Sequence, residues 1–199
     1  MNISTKLLKA AAGQAGGAGL DIDEVFSTFL YEGTNNTKTI TNGIDLSNEG
    51  GLVWTKSRSH SNGNALVDTV NGAQKYLVSE STAALRTDSY AQLGLTSFSS
   101  TGYVLGSDSN SDRFNRDNRD YVSWTFRKAP KFFDVISIDV ADPEPTSVTV
   151  NHNLGQEVGM VIMKPYLHTY PWYVWHRSIG ANYSLELNST AAKSYVGGS

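Results

Sequence analysis

Two stretches of this chain hold residue types and spacings that could do chemistry. The first is DSNSDRFNRDNRD, residues 108–120. Asp108, Asn110 and Asp112 alternate in the way a calcium loop presents its first side-chain oxygens to the ion. The sixth position, however, is Arg113, where the sharp turn asks for Gly, and the twelfth is Arg119 in place of a bidentate Glu. Arginines and asparagines interleaved with aspartates also neutralise one another in a plain surface hairpin. The favoured expectation is therefore a solvated loop, with Asp108, Asn110 and Asp112 as the one metal candidate.

The second stretch is YLHTYPWYVWH, residues 166–176. In an extended strand Trp172, Val174 and His176 share one face, while Tyr173, Trp175 and Arg177 share the other. One set belongs in a core and the other is partly open. Exposed aromatic faces with His and Arg donors nearby can stack on a sugar ring and bond its hydroxyls. Tyr173, Trp175 and Arg177, with Trp172, are the glycan-binding candidates; the competing expectation is packing in a core or at a domain or subunit contact. Catalytic patterns are missing: the sequence has no His-Glu-x-x-His and no Gly-x-Ser-x-Gly. Asp21, Asp23 and Glu24 have no counterpart placed to share a substrate, although paired acids can lie far apart in sequence. The expectation is a protein that is not an enzyme and carries no cofactor.

The elements that must position these residues come from a repeat. The tetrapeptide STAA occurs at Ser81–Ala84 and again at Ser189–Ala192, a shift of 108 residues without a gap. Carried upstream, the shift places TITNGIDLSNEGGLVWTKSRSH (39–60) on SVTVNHNLGQEVGMVIMKPYLH (147–168). Fourteen of the 46 pairs between Thr39/Ser147 and Ala84/Ala192 are identical, against roughly three expected by chance at ordinary composition. His60 and His168 coincide under the shift, as do Gly51 and Gly159. Each histidine lacks a second metal-binding side chain nearby and reads as a loop residue. A period this long is a small domain, not a solenoid unit. The first repeat runs on for about 45 residues past its STAA; the second has seven left, so the second domain is expected to be incomplete.

Bulk properties narrow the classes further. A net charge of −3 offers no basic field for nucleic acid or anionic lipid. No run of eighteen apolar residues spans a membrane. Without cysteine, neither disulfides nor thiolate metal sites are available. From Asp23 onward the apolar pattern has period two, in short runs parted by Gly, Asn, Ser and Asp turns, which predicts antiparallel β-sandwich or jelly-roll modules. FFDVISIDV, with Ile136, Ile138 and Val140 on one side, is expected to be a strand. Residues 1–22 differ. A short helix to about Ala12 would break on GQAGGAG, giving a candidate anchor peptide in which Ile3, Leu7 and Leu8 supply the docking surface. The expected division is 1–22 anchor and linker, 23–130 first module, and 131–199 second module.

The combination GIDLSNEGGLVWTKSR, HSNGNALVDTVNGAQKYLVSESTAA, LTSFSSTGYVLGSD and DYVSWTFRKAPKFFDV closely resembles repeated modules in virion structural proteins of marine tailed phages, notably cyanophages. NHNLGQEVGMVIMKP with WYVWHR looks like the following module, and ISTKLLKAAAG like the usual start. The resemblance implies lectin-like, concanavalin- or laminin-G-like sandwiches strung into a tail fibre or similar appendage. It further implies tail, baseplate or portal-proximal partners, a homo-oligomer (commonly a trimer in such appendages), and assembly in a bacterial cytoplasm into a virion. Host glycan is the alternative ligand; a capsid or collar decoration is the alternative location. Neither nucleic acid nor membrane insertion is expected.

Overall fold

The computed structural model describes residues 19–61, 63–88, 93–108, 112–139 and 147–196. The chain is an all-β protein built from antiparallel sheets, as its period-two pattern predicts. Asp21 caps one short helical turn, α1 (Ile22–Val25), by accepting from the Asp23 amide. Asp23 and Glu24 sit in the first turn that this cap opens.

Among the described residues, nine strands follow in the first part of the chain: β1 (Phe26–Glu32), β2 (Lys38–Thr41), β3 (Gly51–Ser57), β4 (Ala65–Asp68), β5 (Lys75–Val78), β6 (Arg86–Thr87), β7 (Leu95–Ser99), β8 (Gly102–Leu105) and β9 (Asp120–Arg127). They form a six-stranded sheet ordered β1-β9-β3-β4-β5-β6 and a three-stranded sheet ordered β2-β8-β7. The two pack face to face. Val53, Ala65, Val67, Tyr76, Val78, Tyr31 and Tyr121 from the larger sheet meet Ile40, Leu95, Tyr103 and Leu105 from the smaller.

The interior face of β9 is unexpectedly polar: Tyr121, Ser123 and Thr125 are fully buried, whereas Trp124 and Phe126 face outward. The outer aromatics pack along the opposite side of the sheet, Trp54 edge-on to Trp124 and Phe26 tilted against Phe126. Tyr31 stacks on Tyr121 and donates its hydroxyl to the Phe114 carbonyl at 2.6 Å. Burial, together with Tyr103, Tyr121 and Asp108 nearby, raises the Tyr31 pKa well above its ordinary value. The phenol is therefore a permanent neutral donor.

The second repeat forms a four-stranded sheet: β10 (Met160–Met163), β11 (Tyr173–His176), β12 (Tyr183–Glu186) and β13 (Ser194–Tyr195). Under the 108-residue shift, β11, β12 and β13 fall residue for residue on β4, β5 and β6, and β10 lies within β3. The pairing register is also identical: Val53 faces Val67 as Val161 faces Trp175, and Tyr76 faces Arg86 as Ser184 faces Ser194. Loop hydrogen bonds repeat as well. Ala83 N donates to Ser81 Oγ and Ala191 N to Ser189 Oγ; Thr69 N donates to Gly51 O and Arg177 N to Gly159 O. Gly72 and Gly180 turn with φ of 92° and 96°, a region that L side chains rarely adopt. Sequence identity in the repeat thus tracks a shared backbone.

One expected strand is not there. Residues 134–139 of FFDVISIDV carry no strand, and Ile136 and Ile138 are exposed; Val140 lies outside the described residues. Residues 147–150 likewise pair with nothing among the described residues. Alternation gives a segment its faces, but a strand also needs a neighbour to take its backbone hydrogen bonds.

Candidate functional site

The charged loop after β8 is a structural hub. Asp108 is 4% exposed and its carboxylate accepts from Phe114 N at 2.6 Å and Asn115 N at 3.2 Å. Buried Asn115 bonds backbone in three directions: its Nδ2 donates to Asn36 O and Gly106 O, and its Oδ1 accepts from Thr34 N. Asp112 lies 3.2 Å from Arg116 Nε and 3.9 Å from His60 Nε2. The expectation of a solvated loop is corrected here: Asp108 is a buried anchor for the backbone between β8 and β9. Its carboxylate accepts charge-assisted hydrogen bonds from these two amides, which hold the anion in place. Asn110 lies outside the described residues. Among the described residues, no three His, Asp or Glu side chains converge as metal ligands. Asp108→Ala strands two buried amides and is expected to cost about 2–3 kcal/mol, read as a lowered urea midpoint; Asp108→Asn should recover part of it. Added calcium should leave the midpoint of the parent chain unchanged.

The aromatic stretch divides in an unforeseen way. Trp172 precedes β11 and is 4% exposed, so it is removed from the glycan candidates. It inserts among Leu66 and Leu77, with Leu52, Trp54, Leu85 and Tyr166 around them, and its Nε1 donates to Val78 O at 2.9 Å. This is the outer face of the six-stranded sheet, so Trp172 pins the second repeat to the first. The first STAA lies at the same junction. Thr82 O accepts from Lys164 Nζ at 3.1 Å, and Leu85 N donates to Tyr166 O at 2.7 Å. Lys164 Nζ also reaches Pro165 O and His168 O, and burial lowers its pKa. The second STAA is exposed throughout, with Ser189 N donating to Glu186 O in a turn. His60 Nδ1 accepts from Ser61 N, and His168 packs edge-on to Tyr170. The two histidines hold loops in different ways.

Tyr173 and Trp175 do share a face. With Val161, Met163, Ala181, Tyr183, Ser184 and Val196 they line an open apolar groove on the β10–β13 sheet. Its polar resources are few. Trp175 Nε1 already donates to Gly180 O at 3.2 Å, and Lys193 Nζ sits 4.1 Å over the Tyr183 ring. Arg177 is exposed and sits beside Gly159, outside the groove lining. Ile3, Leu7 and Leu8, the anchor candidates, lie outside the described residues.

The match to known families comes from a single model. The DUF7483 family, a domain of unknown function, matches residues 21–198, so one match runs through both repeats. No curated protein and no solved structure matches the chain. With its match covering nearly the whole sequence, the chain belongs to the DUF7483 family.

Proposed function

We propose that this chain is a non-enzymatic virion structural protein of a tailed phage, the virion-proximal part of a tail fibre or similar appendage. The observation that carries the reading is the repetition of one β-sheet unit, with identical register, pinned to its predecessor through Trp172. Repeated modules locked to one another extend reach and stiffness. The likeness of the sequence to phage modules supports the same reading. In it, residues 1–22 dock into tail or baseplate, and many weak contacts act together through multivalency.

The test is to locate the protein on intact particles by cryo-electron microscopy with a labelled antibody. Density on a tail appendage is the expected result; density on the capsid or collar would replace the reading with decoration. Deleting residues 1–20 is expected to leave a folded, soluble chain that no longer enters particles. Normal incorporation of the deletion would remove the anchor. Direct glycan contact is less favoured by the groove, whose wall is Val, Met, Tyr and Trp with few free donors.

A further inference from the structure

The open groove has a counterpart in the first repeat, and there it is covered. Shifted by 108 residues, Val161, Met163, Tyr173, Trp175, Ala181 and Ser184 fall on Val53, Thr55, Ala65, Val67, Ala73 and Tyr76. All six counterparts are buried in, or packed against, the first core, beneath the β2-β8-β7 sheet. In the second repeat the same face is open: Val161 is 42% exposed and Met163 49%.

The edge is open too. β3 pairs along its whole length with β9, whereas β10 has no partner on that side among the described residues. A methyl at Gly51 would overlap the Phe126 carbonyl oxygen of β9. The matching Gly159 meets nothing closer than the Arg177 guanidinium at 3.8 Å. Glycine therefore stands at both positions, but only in the first is there a strand that requires it. Ser184, at 7% exposure, has an Oγ with no partner among the described residues.

The unpaired segments fit the same gap. Among the described residues, β1 pairs only with β9, and β2 only with β8. Under the 108-residue shift, residues 134–139 and 147–150 correspond to β1 and β2, and neither segment pairs with a strand among the described residues. One missing unit, the counterpart of β7–β8–β9, would pair with both segments, close the β10 edge and cover the groove.

We infer that the groove and the β10 edge seat a β7–β8–β9-like segment of the same polypeptide, following residue 199. Arg127 shifted by 108 residues places the end of that segment 36 residues past Ser199. A second molecule of this chain is the poorer occupant, because its own β7, β8 and β9 are already paired within its first sandwich. The face is also small. Three strands of four residues and one of two, about 4.8 Å apart, cover roughly 220 Å², well below the ~800 Å² per partner of a standard stable interface. A tethered segment escapes the cost of association and needs no such area. Large Tyr173 and Trp175 replace Ala65 and Val67, so the covering strands carry small residues opposite them. The inference is independent of the virion reading.

The experiment compares the 199-residue chain with the chain extended through the reading frame that follows Ser199. Three short strand patterns are expected there at the spacing of β7, β8 and β9. The 199-residue chain should bind the dye 8-anilino-1-naphthalenesulfonate, and the extended chain should lose most of that signal. Amides of Met160–Met163 should exchange on the order of a hundredfold more slowly in the extended chain. Trp175→Asp should be tolerated in the 199-residue chain yet abolish that protection in the extended one. A stop codon directly after Ser199, or unchanged exchange at β10 on extension, would overturn the inference. So would a concentration-dependent dimer of the 199-residue chain that buries Trp175, since a second molecule would then be the occupant.

Discussion

Trp172→Ala is expected to lower the stability of the chain by about 3–5 kcal/mol, the usual range for truncating a buried aromatic. Two losses combine. The indole fills the space among Leu66, Leu77 and Trp54, and its Nε1 satisfies Val78 O at the end of β5. Removal leaves a cavity on the outer face of the first sheet, and Val78 O keeps only its bond from Ser81 N at 3.2 Å. Because Trp172 carries the apolar part of the junction, its loss should also separate the repeats. Limited proteolysis should then cut within residues 128–160 while residues 21–127 persist as a resistant core. Trp172→Phe retains much of the burial but not the hydrogen bond, so about 1–2 kcal/mol of the loss should remain. If Trp172→Ala unfolds at the parent midpoint with no new cleavage, the junction is held by something else.

Gly51→Ala and Gly159→Ala should behave as opposites despite occupying equivalent positions. A methyl at Gly51 collides with backbone, the Phe126 carbonyl, and also crowds Leu46 Cδ2. Backbone in a seven-residue ladder cannot yield without breaking the register that runs from Gly51↔Arg127 to Ser57↔Tyr121. The cost is expected at or above the upper end of the roughly 1–3 kcal/mol typical of overpacking. Gly159 has open space, so alanine there should change stability by less than about 0.5 kcal/mol in the 199-residue chain. Parallel urea titrations of the two variants make the comparison. Equal effects would mean that the neighbourhoods differ less than the geometry indicates.

Much of the fold was legible because the repeat links two stretches of the chain through 46 aligned pairs. The strand runs around GGLVWTKS, NALVDTV and KYLVSE fall on β3, β4 and β5, and the shift carries that pattern to β10, β11 and β12. Local alternation was less informative about which face is inside. In β9 it grouped Val122, Trp124 and Phe126, and the more apolar set would ordinarily be chosen for the core. Instead Tyr121, Ser123 and Thr125 are inside, because the opposing sheet brings Tyr103 and Leu105 into a space that larger side chains would overfill. Residues 134–139 of FFDVISIDV alternate as well as any strand, yet they pair with no neighbour among the described residues.

The candidate site was harder to read for the same tertiary reason. Alternation sets Trp172 on the face opposite Tyr173 and Trp175, but it does not give the partner of that residue, Leu66 and Leu77 of the first sheet. Asp108 looked like a free acid because its partners, the Phe114 and Asn115 amides, are delivered by a loop whose path the residue types alone do not specify. Only the shared face of Tyr173 and Trp175 followed directly from spacing.

The pairing of β1 with β9 joins Phe26 to Phe126, the two ends of one module. A ribosome delivers these strands N-terminal first, so β1 must wait for nearly a hundred residues before its partner β9 emerges. Ordering so distant a pair makes closure late and slow, since the entropy of a long loop must be overcome before the contact stabilises anything. In an array of such modules each would mature in turn during synthesis, and the newest would always trail a half-built sheet with sticky, unsatisfied surfaces behind the exit tunnel.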